Sequence, residues 1–211
     1  MELNKYIDHT LLKPACTSQD IVKLCEEAKQ HKFFSVCVNP HFVPLAKQCL
    51  ENTDVKIACV VGFPLGANTT EMKVLEAVEA VKNGASEIDM VINNSKLKEK
   101  DYDYIIHEIN EIREKSGVLT KVIIETSLLN EDEVKKMCEI VNNSKAECIK
   151  TSTGFIGEGA QLETVKLMAS LMNEDKFVKA SGGIRDKETA LKMIEAGAKR
   201  LGTSSGVKIV E

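Results

Sequence analysis

Three strand-like segments of this 211-residue chain carry an ionisable side chain where an apolar one would pack better. They are Asp89 in EIDMVI (87–92), Lys150 in ECIKTS (147–152) and Lys179 in FVKAS (177–181), each near the C-terminal end of its segment. Side chains alternate along a strand, so Lys150 shares a face with Cys148 and Ser152, whereas Ile149 and Thr151 point the other way. A purely structural reading pairs Asp89 with one lysine. It leaves a second ammonium without a counter-ion, and burial of an unpaired charge is costly. Loss of one proton removes that cost, and desolvation and a neighbouring cation both favour it. The product is a neutral, nucleophilic amine. Such an amine condenses with an aldehyde or ketone to a Schiff base. The protonated imine then draws electrons from a neighbouring C–C bond. This is aldol chemistry without a metal, and Asp89 is a candidate for moving the proton.

Two glycine-bearing loops could serve a second purpose. SGGIRD (181–186) follows the segment with Lys179, and GTSSG (202–206) follows the last strand-like run. Small residues let backbone N–H groups approach an anion closely, and Ser204 and Ser205 add hydroxyl donors. TSTG (151–154) could complete such a pocket. A tight turn into the next helix explains one glycine pair equally well. Two such loops after consecutive strands favour phosphate. Arg185 suits either a phosphate contact or a helix-start surface position.

These groups need a frame that brings strand ends together. Strand-like runs occur at 5–10, 33–38, 55–62, 87–92, 121–126, 147–152, 177–181 and 200–204, and several are continuous Val/Ile/Cys runs, as strands covered on both faces should be. Between them, 18–30 places Ile21, Leu24, Cys25 and Ala28 on one helical face. Val74, Leu75, Val78 and Val81 do so for 70–83, and Ile105, Ile106, Ile109 and Ile112 for 101–115. Asn68 with Glu71 and Asn130 with Glu133 have capping-box spacing, and Gly84 and Gly197 fall where helices should stop. Strands recur about every 22–33 residues, the size of a βα unit. The competing folds are an open doubly wound sheet and a closed barrel. The first strand is followed by no G-x-G-x-x-G, and eight units favour an α/β fold of the (β/α)8 TIM-barrel type, one domain spanning 1–211. In such a barrel the C-terminal strand ends face the active site, and phosphate commonly sits after strands 7 and 8.

The composition narrows the partners. The net charge of −4, without a dense basic run, argues against nucleic acid or an anionic membrane as the main partner. No apolar stretch reaches the length of a membrane span, and MELNKYIDHT carries no signal segment. Cys16, Cys25, Cys37, Cys49, Cys59, Cys138 and Cys148 contain no C-x-x-C pair and read as reduced core thiols of a cytoplasmic protein. His9, His31, His41 and His107 form no H-x-H or H-x-x-x-H pair, so no metal site is expected, and most of them read as surface or turn residues.

Taken in order, IDHTLLKP (7–14), EIDMVIN (87–93), KVIIET (121–126), IKTSTGF (149–155), KASGGIR (179–185) and GTSSGVKIV (202–210) resemble the deoxyribose-phosphate aldolase family over essentially the whole chain. KTSTG and KASGGIR are specific in combination. The resemblance implies a class I aldolase on a (β/α)8 barrel, with no metal and no organic cofactor. It would interconvert 2-deoxy-D-ribose 5-phosphate with acetaldehyde and D-glyceraldehyde 3-phosphate. It further implies Lys150 as the Schiff-base lysine, Lys179 as the lysine that depresses its pKa, and Asp89 in proton transfer. Gly154, Gly182, Gly183, Gly202, Ser204 and Ser205 become the phosphate contacts, and Asp8 and Thr10 line the substrate site. Relatives are often homodimers, although no interface patch stands out in the sequence. Some relatives extend further, to a C-terminal tyrosine that assists proton transfer; this sequence ends at Glu211, so a water relay would have to suffice. The rivals are another Schiff-base sugar-phosphate aldolase or transaldolase, a pyridoxal-phosphate enzyme, a metal-dependent aldolase, and a non-catalytic barrel that senses a sugar phosphate. Paired lysines argue against the first and last. No partner for a pyridine ring is visible, and the histidine spacing argues against the metal enzyme.

Overall fold

The computed structural model describes residues 2–211. Its eight strands are β1 (Ile7–Leu11), β2 (Ser35–Val38), β3 (Lys56–Val61), β4 (Glu87–Val91), β5 (Leu119–Ile123), β6 (Cys148–Lys150), β7 (Phe177–Ser181) and β8 (Ala198–Thr203). They are all parallel and close in sequence order into a barrel, with β1 paired to both β2 and β8. The outer ring holds α1 (Ser18–His31), α2 (Val43–Cys49), α3 (Thr70–Lys82), α4 (Asn94–Lys98), α5 (Tyr102–Ser116), α6 (Glu131–Asn143), α7 (Leu162–Leu171), α8 (Lys187–Glu195) and α9 (Gly206–Val210). This is the expected (β/α)8 architecture. Among the described residues, no helix is long and apolar enough to cross a membrane.

Alternation along the strands divides the core. Ile7, Val36, Ile57, Ile88, Val122, Ile149, Val178 and Leu201 face outward into one continuous apolar layer with the helices. Inside the barrel, Leu12, Cys37, Ala58 and Val60 form a small separate apolar cluster. Much of the remaining interior is charged: Asp8, Glu87, Asp89, Lys121, Lys150, Lys179 and Arg200 are all buried. Five cysteines are buried; Cys16 and Cys49 are half-buried, so not all seven belong to the core.

Strand ends depart from expectation in two informative places. β6 stops at Lys150, two residues early. β5 stops at Ile123, and Glu125 then turns the chain with a φ of 56°. The capping box of α6 on Asn130 and Glu133 is present. For α3 the N-cap is Thr69 rather than Asn68.

The buried face of α3 also differs from the sequence reading. Thr70, Lys73, Ala77 and Ala80 face inward, whereas Leu75 and Val78 are 62% and 40% exposed. Lys73 decides this. Its Nζ donates to the Val91 carbonyl at 2.9 Å and to Glu108 Oε1 at 2.7 Å, and Glu108 Oε2 accepts from the Asn93 N–H at 3.2 Å. The small side chains of Ala77 and Ala80 let the helix approach closely enough for that bridge. Removal of one partner leaves a buried charge. Lys73→Met is therefore expected to lower stability by about 3–5 kcal/mol. The double variant Lys73→Met/Glu108→Gln, which keeps the Asn93 acceptor, should recover most of that loss. Urea unfolding measures both, and equal midpoints for parent and single variant would contradict the assignment.

Candidate active site

The strand register brings the three ionisable positions together. Asp89 is paired with Lys121, Lys150 with Lys179, and Lys179 with Arg200 on neighbouring strands. Asp89 Oδ1 accepts from Lys121 Nζ at 2.7 Å; Asp89 Oδ2 accepts from Lys150 Nζ at 2.7 Å and Lys179 Nζ at 2.8 Å. Lys179 also meets Asp8 Oδ2. Lys121 meets Glu87 at 2.5 Å, and Arg200 bridges Asp8 and Glu87 from below, with Nε 2.8 Å from Asp8 Oδ1 and Nη2 2.9 Å from Glu87 Oε2. Ser35 Oγ donates to Asp8 Oδ1 at 2.7 Å, which completes the floor.

The sequence alone sets two lysines, Lys150 and Lys179, against one carboxylate, Asp89. The structure contains four cations, Lys121, Lys150, Lys179 and Arg200, against three carboxylates, Asp8, Glu87 and Asp89. The excess of one positive charge survives the larger count. Lys121, Lys179 and Arg200 each contact two carboxylates, whereas Lys150 contacts only Asp89.

Burial opposes ionisation of Asp89, but the ammonium groups of Lys121, Lys150 and Lys179 outweigh it and hold the carboxyl well below its usual range. Asp8 is lowered in the same way, against burial, by Lys179 and Arg200. Burial pulls Lys179 down, yet Asp8 and Asp89 raise it overall, and Lys121 is raised against burial by Asp89. Lys179 is thus a fixed cation rather than a neutral amine.

These shifts set a pH window for stability. The lowered carboxylates stabilise the fold fully above an unfolded-state pKa of about 3.9, and that contribution is lost as the pH falls further. On the alkaline side, burial pushes the Cys25, Cys138 and Cys148 thiols up to about 12. The unfolded chain releases those protons first, from roughly pH 8.5, and releases the Lys121 and Lys179 protons from roughly pH 10.4. Urea midpoints are therefore expected to fall below about pH 4 and above about pH 8.5. A midpoint that rises between pH 9 and 10 would contradict the alkaline arm.

Above the cluster lies a cavity of about 320 Å³ at the C-terminal strand ends. Lys150 is the member of the charge cluster that lines it, together with Thr10, Gly154, Gly182, Gly183, Gly202 and Ser204. Arg185 lines it as well. Two glycines have a packing reason. A Cβ at Gly202 would lie 2.8 Å from Ser181 Cβ and 3.1 Å from Lys179 Cε, so this glycine makes room for the lysine. Gly182, with φ +90°, would put a Cβ 2.8 Å from Gly159 Cα.

Several residues sit differently from the sequence reading. Asp8, Asp89 and Lys179 form the layer beneath the cavity and do not line it; for Asp8 this corrects its expected place in the wall. Ser205 lines a second recess with His9, Glu27 and Lys208, because the short α9 turns the chain away after Ser204. His9 is not a surface residue: it is buried on β1 and bonds Glu27 at 2.7 Å. Sequence reasoning missed Lys121, Arg200, Glu87 and Glu125. Lys121, Arg200 and Glu87 are the first residues of their strand-like runs, where charge reads as a boundary.

A family model described as DeoC/LacD family aldolase matches residues 3–210. The chain belongs to the DeoC/LacD aldolase family. Its similarity to members of that family is full-length. It is 56% identical to a deoxyribose-phosphate aldolase of Finegoldia magna over 212 residues, covering 100% of both chains. It is also 56% identical to a deoxyribose-phosphate aldolase of Caldanaerobacter subterraneus subsp. tengcongensis over 215 residues, covering 100% of this chain and 93% of the relative. Among solved structures, it superposes on one named QR15, an Aldolase, with a TM-score of 0.96 at 47% identity, covering 100% of this chain and 95% of the other. It also superposes on the deoxyribose phosphate aldolase of Aeropyrum pernix, described as a tetramer, with a TM-score of 0.91 at 33% identity, covering 99% and 89%.

Proposed function

We propose that this DeoC/LacD aldolase is a deoxyribose-phosphate aldolase. It reversibly cleaves 2-deoxy-D-ribose 5-phosphate to acetaldehyde and D-glyceraldehyde 3-phosphate through a Schiff base on Lys150. One observation carries the assignment: Lys150 belongs to a cluster with one excess cation, has a single carboxylate partner, and lines the cavity. A proton that leaves Lys150 neutralises the cluster and produces an amine where a carbonyl can reach it.

In the breakdown direction, Lys150 Nζ attacks C1 of the open-chain sugar, and the carbinolamine loses water to give the protonated imine. Asp89 Oδ2 holds the positive nitrogen and stabilises it electrostatically. The C3 hydroxyl gives its proton to a water on the cavity floor, above the buried Asp89 and Lys179, and that relay later returns a proton to C2. The C2–C3 bond breaks, and its electron pair moves to C2 and the imine, which becomes an enamine. D-glyceraldehyde 3-phosphate leaves. The enamine takes a proton at C2, and hydrolysis returns acetaldehyde and the free lysine.

Gly154, Gly182, Gly183, Gly202, Ser204 and Arg185 are the proposed phosphate wall; Thr10 lines the same cavity. Phosphate held away from the scissile bond fixes orientation at the reacting carbon. The residues present supply the whole reaction, and no metal or organic cofactor is part of the reading. A homodimer and a cytoplasmic location go with it; the free thiols suit a reducing compartment. The test is acetaldehyde release from 2-deoxyribose 5-phosphate by the purified protein, competed by inorganic phosphate. Cleavage without such competition would count against the phosphate wall, and absence of cleavage against the reaction.

A further inference from the structure

We propose that Glu125 is a positioning residue for the phosphate end of the substrate, acting through Thr153; this rests on the reading of the cavity given above. Three unfavourable features coincide at Glu125. Its φ of 56° lies in the left-handed region, where a side-chain-bearing residue is strained. It is only 1% exposed, although it carries a carboxyl group. Its Oε1 is buried without a hydrogen-bond partner. Local strain and buried charge of this kind persist where the surrounding structure uses them.

The other oxygen shows the use. Glu125 Oε2 accepts from the Thr153 backbone N–H at 3.2 Å and from the Thr153 hydroxyl. A carboxylate only accepts, so the Thr153 hydroxyl must donate to it. That leaves Thr153 Oγ1 free to accept from the Phe155 N–H, at 3.1 Å. One carboxylate oxygen therefore fixes both ends of the turn around Gly154, whose φ is +80°.

Thr153, Gly154 and Phe155 all line the cavity beside Lys150. The preceding residues are held separately. Thr151 Oγ1 donates to the Ser181 carbonyl at 3.0 Å and accepts from the Ser181 N–H at 3.0 Å, and Ser181 Oγ donates to the Ser152 carbonyl at 2.5 Å. The loop after β7 thus anchors 151–152, and Glu125 anchors 153–155. Burial raises the Glu125 pKa, while the Thr153 bonds and the Lys150 charge oppose that rise.

The decisive measurement is phosphate preference: kcat/KM for 2-deoxyribose 5-phosphate divided by that for 2-deoxyribose. Glu125→Ala is expected to lower this ratio roughly tenfold or more, chiefly through KM for the phosphorylated sugar. Glu125→Gln, which keeps an acceptor of the same shape but without the charge, should lower it less. Should Glu125→Ala not fold, Glu125→Gln must by itself lower the ratio. A preserved ratio in the folded variant overturns the proposal, even if both rates fall together, because a general buttress would affect the two sugars alike. A parent protein that cleaves 2-deoxyribose without preferring its phosphate overturns the phosphate reading of the cavity instead, and the role of Glu125 with it.

Discussion

Lys150→Met is expected to lose turnover on the order of 10⁴-fold or more while the fold keeps its stability to within about 1 kcal/mol. The two halves of this result have one origin. Lys150 breaks the charge balance of the barrel interior. Without it, Lys121, Lys179 and Arg200 face Asp8, Glu87 and Asp89 in equal number. Methionine fills similar space and adds no unpaired group. Activity has no comparable substitute. Lys179 is buried and pinned between Asp8 and Asp89, which hold its proton. Acetaldehyde followed by borohydride should accordingly ethylate Lys150 in the parent and leave the variant unlabelled, as read by peptide mass spectrometry. Label on Lys179, or spread over surface lysines, would remove Lys150 from the role of nucleophile.

Asp89→Asn should behave in the opposite sense, with stability and turnover lost together. One carboxylate receives three ammonium groups, from Lys121, Lys150 and Lys179. Its neutralisation raises the excess from one positive charge to two and places an amide NH₂ against ammonium donors. A stability loss of about 3–5 kcal/mol is expected from a broken buried ion network. Turnover should fall by roughly 10²–10⁴-fold, the range associated with a proton-transfer group. Asp89→Asn/Lys121→Met restores the original excess of one charge. It should regain stability in urea and leave turnover low. If the double variant regained turnover as well, Asp89 would be a charge balancer only, with no part in moving protons.

The frame and the heart of the site were legible in the sequence for a physical reason. Eight apolar runs at βα spacing have few closed solutions, and Asp89, Lys150 and Lys179 each interrupt an apolar strand where charge is costly. The rest of the cluster was obscured by position. Glu87 and Lys121 open the runs EIDMVI and KVIIET, and Arg200 stands at the head of RLGTS. A charge there reads as the edge of a strand, yet the barrel's stagger brings these lower ends inside. Glu125 falls just beyond its strand, and only its backbone angle and orphaned oxygen mark it out. The α3 face was misread because hydrophobicity favoured Leu75 and Val78. The partner that turned the helix, Glu108, lies 35 residues from Lys73. Ser205, the N-cap of a five-residue helix, lines only the second recess, whereas Ser204 lines both.

The bond between Asp8 on the first strand and Arg200 on the last joins positions 192 residues apart. Contacts of such separation form late, because the entropy of closing a long loop must be met before they can contribute. Until β8 docks, Asp8 lacks its guanidinium partner and the carboxylate layer lacks the cation that bridges its floor. The same event therefore shuts the cylinder and finishes the reaction centre. A chain still emerging from synthesis, with its last strand unmade, has neither a seam nor a competent lysine. Lys150 therefore gains the full charge environment described above only when the last strand has joined the first.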